Sequence, residues 1–311
     1  MTIRKYTALD GLAVIDLWNT CLSADMIDEE NFYKRVICDM NFDPDLFLLA
    51  EEDGELLGFV YGAKRIVPDE MAGLQPDQAW ISAMGVRSEQ RGKGIGKALL
   101  TALEAALLNR GAKSITLGVH PTNYFFPGVD QGAYGEAIDF FKAQGYNENS
   151  SCVSMDLSLR GYQTPQRYLD KREKLIKEGY IFRPYRLQDS LPIFALLREH
   201  FPHWVDNVRE SILAGRAEKT LILAWNPEGE VVGFVMRAMD GTEERFGPFG
   251  VHPSTQGTGV GGVLFHEMMK SMVAQRIFYT YFLWTGGRNL DIYGTWDMKI
   301  YRTYTMMSKT L

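Results

Sequence analysis

The chain repeats its own sequence once, and this duplication constrains the fold more than any other feature. Residues 55–60, ELLGFV, return as residues 230–235, EVVGFV. The matching segments keep one order, namely 3–10 with 182–189, 55–60 with 230–235, 85–96 with 250–261, and 140–146 with 292–298. A length of 311 residues suits two domains of roughly 100–200 residues each. We therefore predict two copies of one domain, residues 1–159 and 181–311, joined by a linker helix within 160–180.

Composition and charge exclude several classes of protein. Hydrophobic residues form 46% and charged residues 23% of the chain, which supplies two apolar cores and argues against disorder. A net charge of −6 gives no general attraction for nucleic acid or an anionic membrane surface. Neither a secretion signal nor a run of roughly 20 apolar residues is present, so we expect a cytoplasmic protein. We expect this protein to be a monomer or a homodimer. Cys21, Cys38 and Cys152 are isolated, so we expect neither disulfides nor a metal site.

Hydrophobic periodicity predicts a mixed α/β fold for each copy, with an antiparallel meander followed by strand, helix, strand, helix and strand. In the first copy the patterns predict helices over 10–21, 28–38, 95–107 and 137–144, and strands over 46–51, 55–63, 80–86, 114–119 and 153–157. In the second copy they predict strands over 220–225, 231–238 and 246–251. Thr164 and Pro165 predict the start of the linker helix. The aromatic insertion at 123–130 either shapes a pocket or an interdomain contact, or decorates the surface.

Each copy places a glycine-rich turn between a strand and a long amphipathic helix. Such a turn presents free backbone N–H groups at the positive end of the helix dipole, which favours phosphate. A Walker A loop is excluded, because Arg91 stands where its first glycine should be and Ala98 where its hydroxyl should be. A dinucleotide-binding fingerprint is matched by Gly257, Gly259 and Gly262, but it follows a late strand and lacks the acidic residue further on.

Both turns fit the pattern Q/R-x-x-G-x-G/A, through Arg91, Gly94 and Gly96 and through Gln256, Gly259 and Gly261. With the strand order, this pattern resembles the GNAT acyltransferase superfamily, and the tandem arrangement is similar to that of mycothiol synthase and related two-domain members. The resemblance implies transfer of an acetyl group from acetyl-CoA to a primary amine of a small molecule or peptide, without a metal. A non-catalytic module that binds or senses acyl-CoA is the alternative.

The resemblance also implies which residues bind coenzyme A. The turns would hold its pyrophosphate, and the end of the preceding strand would pair with pantetheine and polarise the thioester carbonyl. In the first copy these positions are Met84, Gly85, Val86, Arg91, Gly92, Lys93, Gly94, Gly96 and Lys97. In the second copy they are Phe249, Val251, Gln256, Gly257, Gly259, Gly261 and Gly262.

The two copies differ at the position of the superfamily's tyrosine acid, which would protonate the departing thiolate. The first copy has Phe141 there, and the second has Tyr293. The sequence therefore favours catalysis in the second copy. Glu244 is the candidate base at the entry to the strand before the second turn, and a solvated turn is the alternative that its neighbours favour. His252 and the pair His200 and His203 are weaker candidates, since lone histidines near aromatic residues are usually structural.

Overall fold

In a computed structural model, the structure describes residues 1–120 and 125–311, with the side chain of Arg288 excepted. The chain forms two compact units. The first unit contains residues 1–68, 73–153 and 302–311, and the second contains residues 69–72 and 154–301. Of the aromatic insertion predicted at 123–130, Asn123 and Tyr124 lie outside the described residues. No helix in the described ranges has the length and apolar character needed to cross a membrane.

The first unit is built on a mixed sheet with the strand order β1-β2-β3-β4-β5-β13-β7. The antiparallel meander β1 to β4 and its parallel neighbour β5 agree with the predicted strand pattern. The strands are β1 (Thr2–Lys5), β2 (Phe47–Glu52), β3 (Glu55–Ala63), β4 (Gln78–Val86), β5 (Ser114–Leu117), β6 (Val129–Asp130), β7 (Asn147–Ser158) and β13 (Lys299–Thr310). The short strand β6 pairs with β13.

Helices cover both faces of this sheet. They are α1 (Gly11–Cys21), α2 (Glu29–Phe32, continued by a π-helical turn at Tyr33–Ile37), α3 (Ile95–Asn109) and α4 (Glu136–Ala143). Leu99, Leu103 and Leu107 recur every four residues along α3 and are fully buried, so one face of this helix packs on the sheet. Trp18 of α1 stacks on Phe59 from the other side. The predicted helices at 10–21 and 95–107 are thus confirmed to within two residues.

The last strand belongs partly to the first unit. Ser308 to Thr310 of β13 pair antiparallel with β5, so residues 302–311 lie in the first sheet. The sequence repeat predicts the same residues in the second domain. Both copies end in a strand of similar pattern, and strand pairing over such a distance leaves no local signal in either segment.

The second unit repeats the same order of elements. Its antiparallel sheet runs β8-β9-β10-β11, and β12 lies beside β7. The strands are β8 (Ile181–Pro184), β9 (Leu221–Trp225), β10 (Val231–Arg237), β11 (Phe246–Val251) and β12 (Tyr279–Thr285). The helices are α5 (Gln166–Lys177), α6 (Ser190–His200), α7 (Val205–Leu213), α8 (Ala217–Thr220), α9 (Val260–Ala274) and α10 (Arg288–Gly294). The predicted linker helix is α5, which forms within the second unit.

An arginine–aspartate fork recurs at the start of each unit. Arg4 donates through both terminal nitrogens to the carboxylate of Asp10, at 2.9 and 2.7 Å. Arg183 donates in the same way to Asp189, at 2.6 and 2.8 Å. The hydrogen bond from Arg4, helped by those from Thr7, lowers the pKa of Asp10 to about 2. The fork therefore ties the first strand of each unit to the helix that follows that strand, α1 in the first unit and α6 in the second.

We expect Asp10→Asn to lower the free energy of unfolding by about 2 kcal/mol at pH 7, because the lowered pKa of Asp10 is lost. A carboxyl group with a depressed folded-state pKa stabilises the protein fully above its unfolded pKa. This contribution fades as the pH falls from about 4 to about 2, so the variant and its parent should converge there. Urea denaturation at several pH values measures the difference. Asp16→Asn is the control, because Asp16 is 74% exposed and its ion pair with Arg87 is long, at 3.6 Å. Equal losses of unfolding free energy in both variants would contradict the assignment.

Candidate active site

Two glycines with left-handed backbone shape each glycine-rich turn. Gly92 and Gly94 have φ angles of 75° and 86° in the first turn, residues 91–97. Gly257 and Gly259 have φ angles of 79° and 96° in the second turn, residues 256–262. Only glycine adopts this region at little cost, so the glycine spacing dictates the same local path in both units.

The first side chain of each turn closes it in the same way. Arg91 Nε donates to the carbonyl oxygen of Val86 at 3.2 Å, and Gln256 Nε2 lies 3.5 Å from the carbonyl oxygen of Val251. Val86 and Val251 are the last residues of β4 and β11. Each turn is therefore fastened to the end of the strand that precedes it.

The first turn leaves its backbone amides available. Among the described residues, no acceptor lies within hydrogen-bond distance of the N–H groups of residues 92–97. These groups stand at the N-terminus of the 15-residue helix α3, where the dipole adds positive character. A methyl group placed on Gly92 or Gly94 would meet no atom of the described residues within 4 Å, so a ligand can approach the backbone closely. This arrangement fits a diphosphate.

A cavity of about 1020 Å³ extends from the first turn into the sheet. It forms because β4 and β5 pair only as far as Ile81 and Leu117 and then separate. Most predicted coenzyme residues of the first copy line it, namely Met84, Gly85, Val86, Arg91, Gly92, Gly94, Gly96 and Lys97. Lys93 is not among the lining residues; its ammonium donates to Gln90 at 2.9 Å.

The second turn is covered by the linker helix α5. A methyl group placed on Gly259 would lie 2.8 Å from Cε of Lys171, and one placed on Gly262 would lie 2.6 Å from Cε1 of Tyr168. The ring of Tyr168 packs against His266 of α9, with ring centres 3.9 Å apart and ring planes tilted by 41°. Gly257 and Gly259 thus repeat the left-handed backbone of the first turn, but side chains of α5 lie against Gly259 and Gly262.

Aromatic side chains gather beside β11 and β12. These strands are joined by a single bridge between Arg245 and Tyr281. The ring centre of Tyr293 lies 4.6 Å from that of Phe282 and 6.5 Å from that of Phe249. Further rings of this cluster are Phe246, Phe265 and Trp296. Tyr293 is half-buried, and burial raises the pKa of its hydroxyl.

The candidate base of the second copy is held through its backbone. The carbonyl oxygen of Glu244 accepts hydrogen bonds from the amide of Tyr281 at 3.2 Å and from the hydroxyl of Thr280 at 3.0 Å. Glu244 precedes β11, whereas the second turn follows that strand. Six residues of extended chain, roughly 20 Å, therefore separate Glu244 from the turn.

Comparison with known proteins decides the family. Residues 12–125 match the model of the acetyltransferase (GNAT) family. An acetyltransferase of Pectobacterium atrosepticum is 35% identical over 140 residues, which are 45% of this chain and 90% of that protein. The chain belongs to the GNAT family. It is an N-acetyltransferase, and members of this family use acetyl-CoA as cosubstrate for the acetylation of amines.

Solved structures agree on the tandem GNAT fold. A tandem GNAT protein from the clavulanic acid biosynthesis pathway has a TM-score of 0.68 and 14% identity, and the match covers 99% of this chain and 98% of that one. The glucosamine N-acetyltransferase region of a fungal multi-domain GH3 β-N-acetylglucosaminidase has a TM-score of 0.83 and 20% identity. That match covers 99% of this chain and 38% of the fungal chain. At these identities the likeness establishes the fold.

The cavity of this GNAT acetyltransferase carries a tyrosine that sequence reasoning missed. Tyr134 precedes α4, lines the cavity, and donates its hydroxyl hydrogen to Asp25 at 2.8 Å. Burial, followed by the charge of Asp25, raises the pKa of Tyr134, so the phenol stays protonated. Phe141 lines the same cavity, as the pattern predicts. Tyr134 stands outside any family pattern, and its partner lies 109 residues away, so the sequence held no signal for it.

A free thiol also lines the cavity. Cys21, the last residue of α1, is 6% exposed. A methyl group placed on Gly85 would lie only 2.5 Å from Cβ of Cys21, so the end of α1 packs directly on β4. Burial raises the pKa of Cys21 to about 11 and that of Cys152 to about 12, whereas Cys38 is exposed.

We expect one thiol of the folded GNAT acetyltransferase to react quickly with a disulfide reagent at pH 8, and that thiol is Cys38. At this pH a thiol with a pKa of about 11 is roughly 0.1% thiolate, so Cys21 should react slowly, and Cys152 more slowly still. Spectrophotometric thiol titration counts the fast class, and Cys38→Ser should abolish it. Titration in denaturant should recover all three. Fast loss of Cys21 in the folded protein would contradict its packing against β4.

Proposed function

We propose that the first unit binds acetyl-CoA at residues 91–97 and transfers its acetyl group to a primary amine of a small molecule or peptide. The new bond joins the amine nitrogen to the acetyl carbon, and the bond from that carbon to sulfur breaks. The proton lost by the nitrogen ends on the sulfur, so atoms and charge balance. The coenzyme supplies the activated acetyl group, and this chain supplies binding and orientation.

The observation that carries this proposal is the unpaired set of amides at the start of α3. Helix N-terminal N–H groups attract phosphate oxygens, and Arg91 and Lys97 add two positive charges beside them. The turn opens into the cavity, and that cavity continues to Met84, where the family's pantetheine pairs with backbone. The diphosphate of the coenzyme would thus bind at the turn, and its pantetheine arm would extend along the same cavity wall towards Met84.

The observations favour the first unit over the second as the catalytic one. The sequence pattern predicts the opposite because Tyr293 occupies the acid's position and Phe141 does not. In the second unit, however, Lys171 and Tyr168 lie against the turn, and Tyr293 lies among other aromatic rings. Phe201 packs on Gly250 in the second unit, at the position where the smaller Cys21 packs on Gly85 in the first. The role of Tyr293 stays a prediction that turnover measurements can test.

We expect titration calorimetry of the full chain with acetyl-CoA to give one site per chain. Arg91→Glu should weaken binding at least tenfold, since a negative charge replaces a positive one beside the phosphates. Gln256→Glu is the matched control, because Gln256 closes the second turn as Arg91 closes the first. It should change the dissociation constant less than about twofold. Two sites per chain would show that the second unit binds the coenzyme as well, and a larger effect of Gln256→Glu than of Arg91→Glu would assign binding to the second unit.

We expect Tyr293→Phe to leave the rate of coenzyme A release within about twofold of the parent, because the hydroxyl lies outside the proposed catalytic unit. The assay follows thiol release from acetyl-CoA with glucosamine, spermidine and a peptide with a free N-terminus. A loss of turnover with intact acetyl-CoA binding would return catalysis to the second unit. Binding without turnover on any amine would favour the sensing module.

A further inference from the structure

Away from the turn, the cavity wall combines apolar side chains with hydrogen-bonding side chains that carry no net charge. In the described part of the chain, the charged lining residues are Arg91 and Lys97 of the turn and Glu136, whose side chain is 96% exposed. The neutral polar residues further along are Thr20, Ser23, Ser82, Gln131 and Tyr134. A polycation or a carboxylate would lose its hydration there without gaining an opposite charge. A neutral polar molecule would find donors and acceptors.

Ser82 lies where β4 and β5 separate. The register of β3 and β4 shifts between Ala83 and Ile81, so Ser82 is the extra residue of a β-bulge. Ser82 is 3% exposed, and its hydroxyl oxygen has no hydrogen-bond partner among the described residues. Leaving a buried hydroxyl unsatisfied costs about 1–3 kcal/mol. A hydroxyl or amine group of a ligand in the cavity would satisfy it.

Arg302 pairs with two carboxylates behind this wall. Its terminal nitrogens donate to Asp25, one of them at 2.6 Å, and its Nε donates to Asp130. Burial lowers the pKa of Arg302, but the hydrogen bonds and charges of its partners, Asp25 and Asp130 among them, together raise that pKa. Asp130 in turn accepts the amides of Gly132 and Ala133 at 2.8 and 2.9 Å. Arg302 therefore ties the segment after α1 to the loop that carries Tyr134.

This network fixes the direction of the Tyr134 hydroxyl. Its hydrogen points to Asp25 and the amide of Ala24 is directed at its oxygen, so one lone pair of that oxygen remains to accept a further hydrogen bond. Because Tyr134 lines the cavity, an N–H or O–H group of a bound molecule can supply that bond. The hydroxyl of Ser82 can donate or accept a hydrogen bond, whereas the hydroxyl oxygen of Tyr134 can accept one.

From this wall we propose that the acceptor of the first unit is a small amine bearing hydroxyl groups, bound by Ser82 and Tyr134. Arg302 is a positioning residue that holds Tyr134 through its ion pairs with Asp25 and Asp130. The inference rests on the proposed function and adds the class of acceptor.

The first test compares acceptors of different chemistry on the full chain. We expect kcat/KM for 3-aminopropane-1,2-diol and glucosamine to exceed that for n-butylamine and spermidine at least tenfold, because only the first pair carries hydroxyl groups that can bond to Ser82 and Tyr134. Preference for spermidine, for n-butylamine or for a peptide would overturn the inference. So would acetyl-CoA binding accompanied by turnover of neither hydroxylated amine.

The second test separates acceptor binding from folding. Tyr134→Phe should raise KM for 3-aminopropane-1,2-diol about tenfold, with kcat and the acetyl-CoA dissociation constant changed less than about twofold. Tyr146→Phe is the matched control. Tyr146 also donates to a carboxylate, Glu104, which also pairs with a cation of β13, Lys309, but it is not among the cavity-lining residues. Its substitution should lower the melting temperature without changing KM.

Arg302 is tested by two replacements. Arg302→Gln should raise KM for the diol more than Arg302→Lys does, because lysine keeps the charge and loses the fork. If Arg302→Gln does not fold, Arg302→Lys alone decides, with a raised KM expected. An unchanged KM in both Tyr134→Phe and Arg302→Lys would overturn the inference. Failure of the parent protein to bind acetyl-CoA would instead refute the proposed function.

Discussion

The backbone amides of residues 92–97 place the strongest constraint on the first unit. A helix cannot satisfy its own first N–H groups, and burying them without partners would cost far more free energy than a domain can spare. They must therefore face either water or an anion, which requires an opening at the start of α3. The separation of β4 from β5 provides this opening, and the left-handed glycines keep side chains out of it. The opening that these amides require is therefore also the place where a diphosphate can bind.

The duplicated sequence produced two turns of one geometry and two different environments. The φ angles of Gly94 and Gly259 differ by only 10°, as 86° and 96°. What differs is the tertiary contact, since Lys171 lies against Gly259 while nothing lies within 4 Å of a methyl group on Gly94. A glycine pattern thus specifies the backbone conformation of a turn, but it does not by itself specify whether a ligand can reach that backbone.

Sequence reasoning succeeded where the determinants are local. The glycine spacing predicted both turns, the leucine spacing predicted α3, and the repeat predicted two copies of one fold. It could not reach contacts between distant segments. Tyr134 and Asp25 are 109 residues apart, and Arg302 and Asp25 are 277 residues apart, so no periodicity links them. Two further features also depend on contacts between distant segments. They are the position of β13 in the first sheet and the contacts of Tyr168 and Lys171 with the second turn.

The pairing of β13 with β5 has a consequence for synthesis of the chain. A ribosome delivers residues in order, and domains usually fold as they emerge. The first unit contains residues 302–311, so its sheet stays incomplete and the hydrogen bonds from Arg302 to Asp25 cannot form while the ribosome is still translating the second half. Until then β5 exposes an unpaired edge, which is a template for association with other chains. Nascent chains stalled before codon 302 should therefore be clients of chaperones that shield open strand edges.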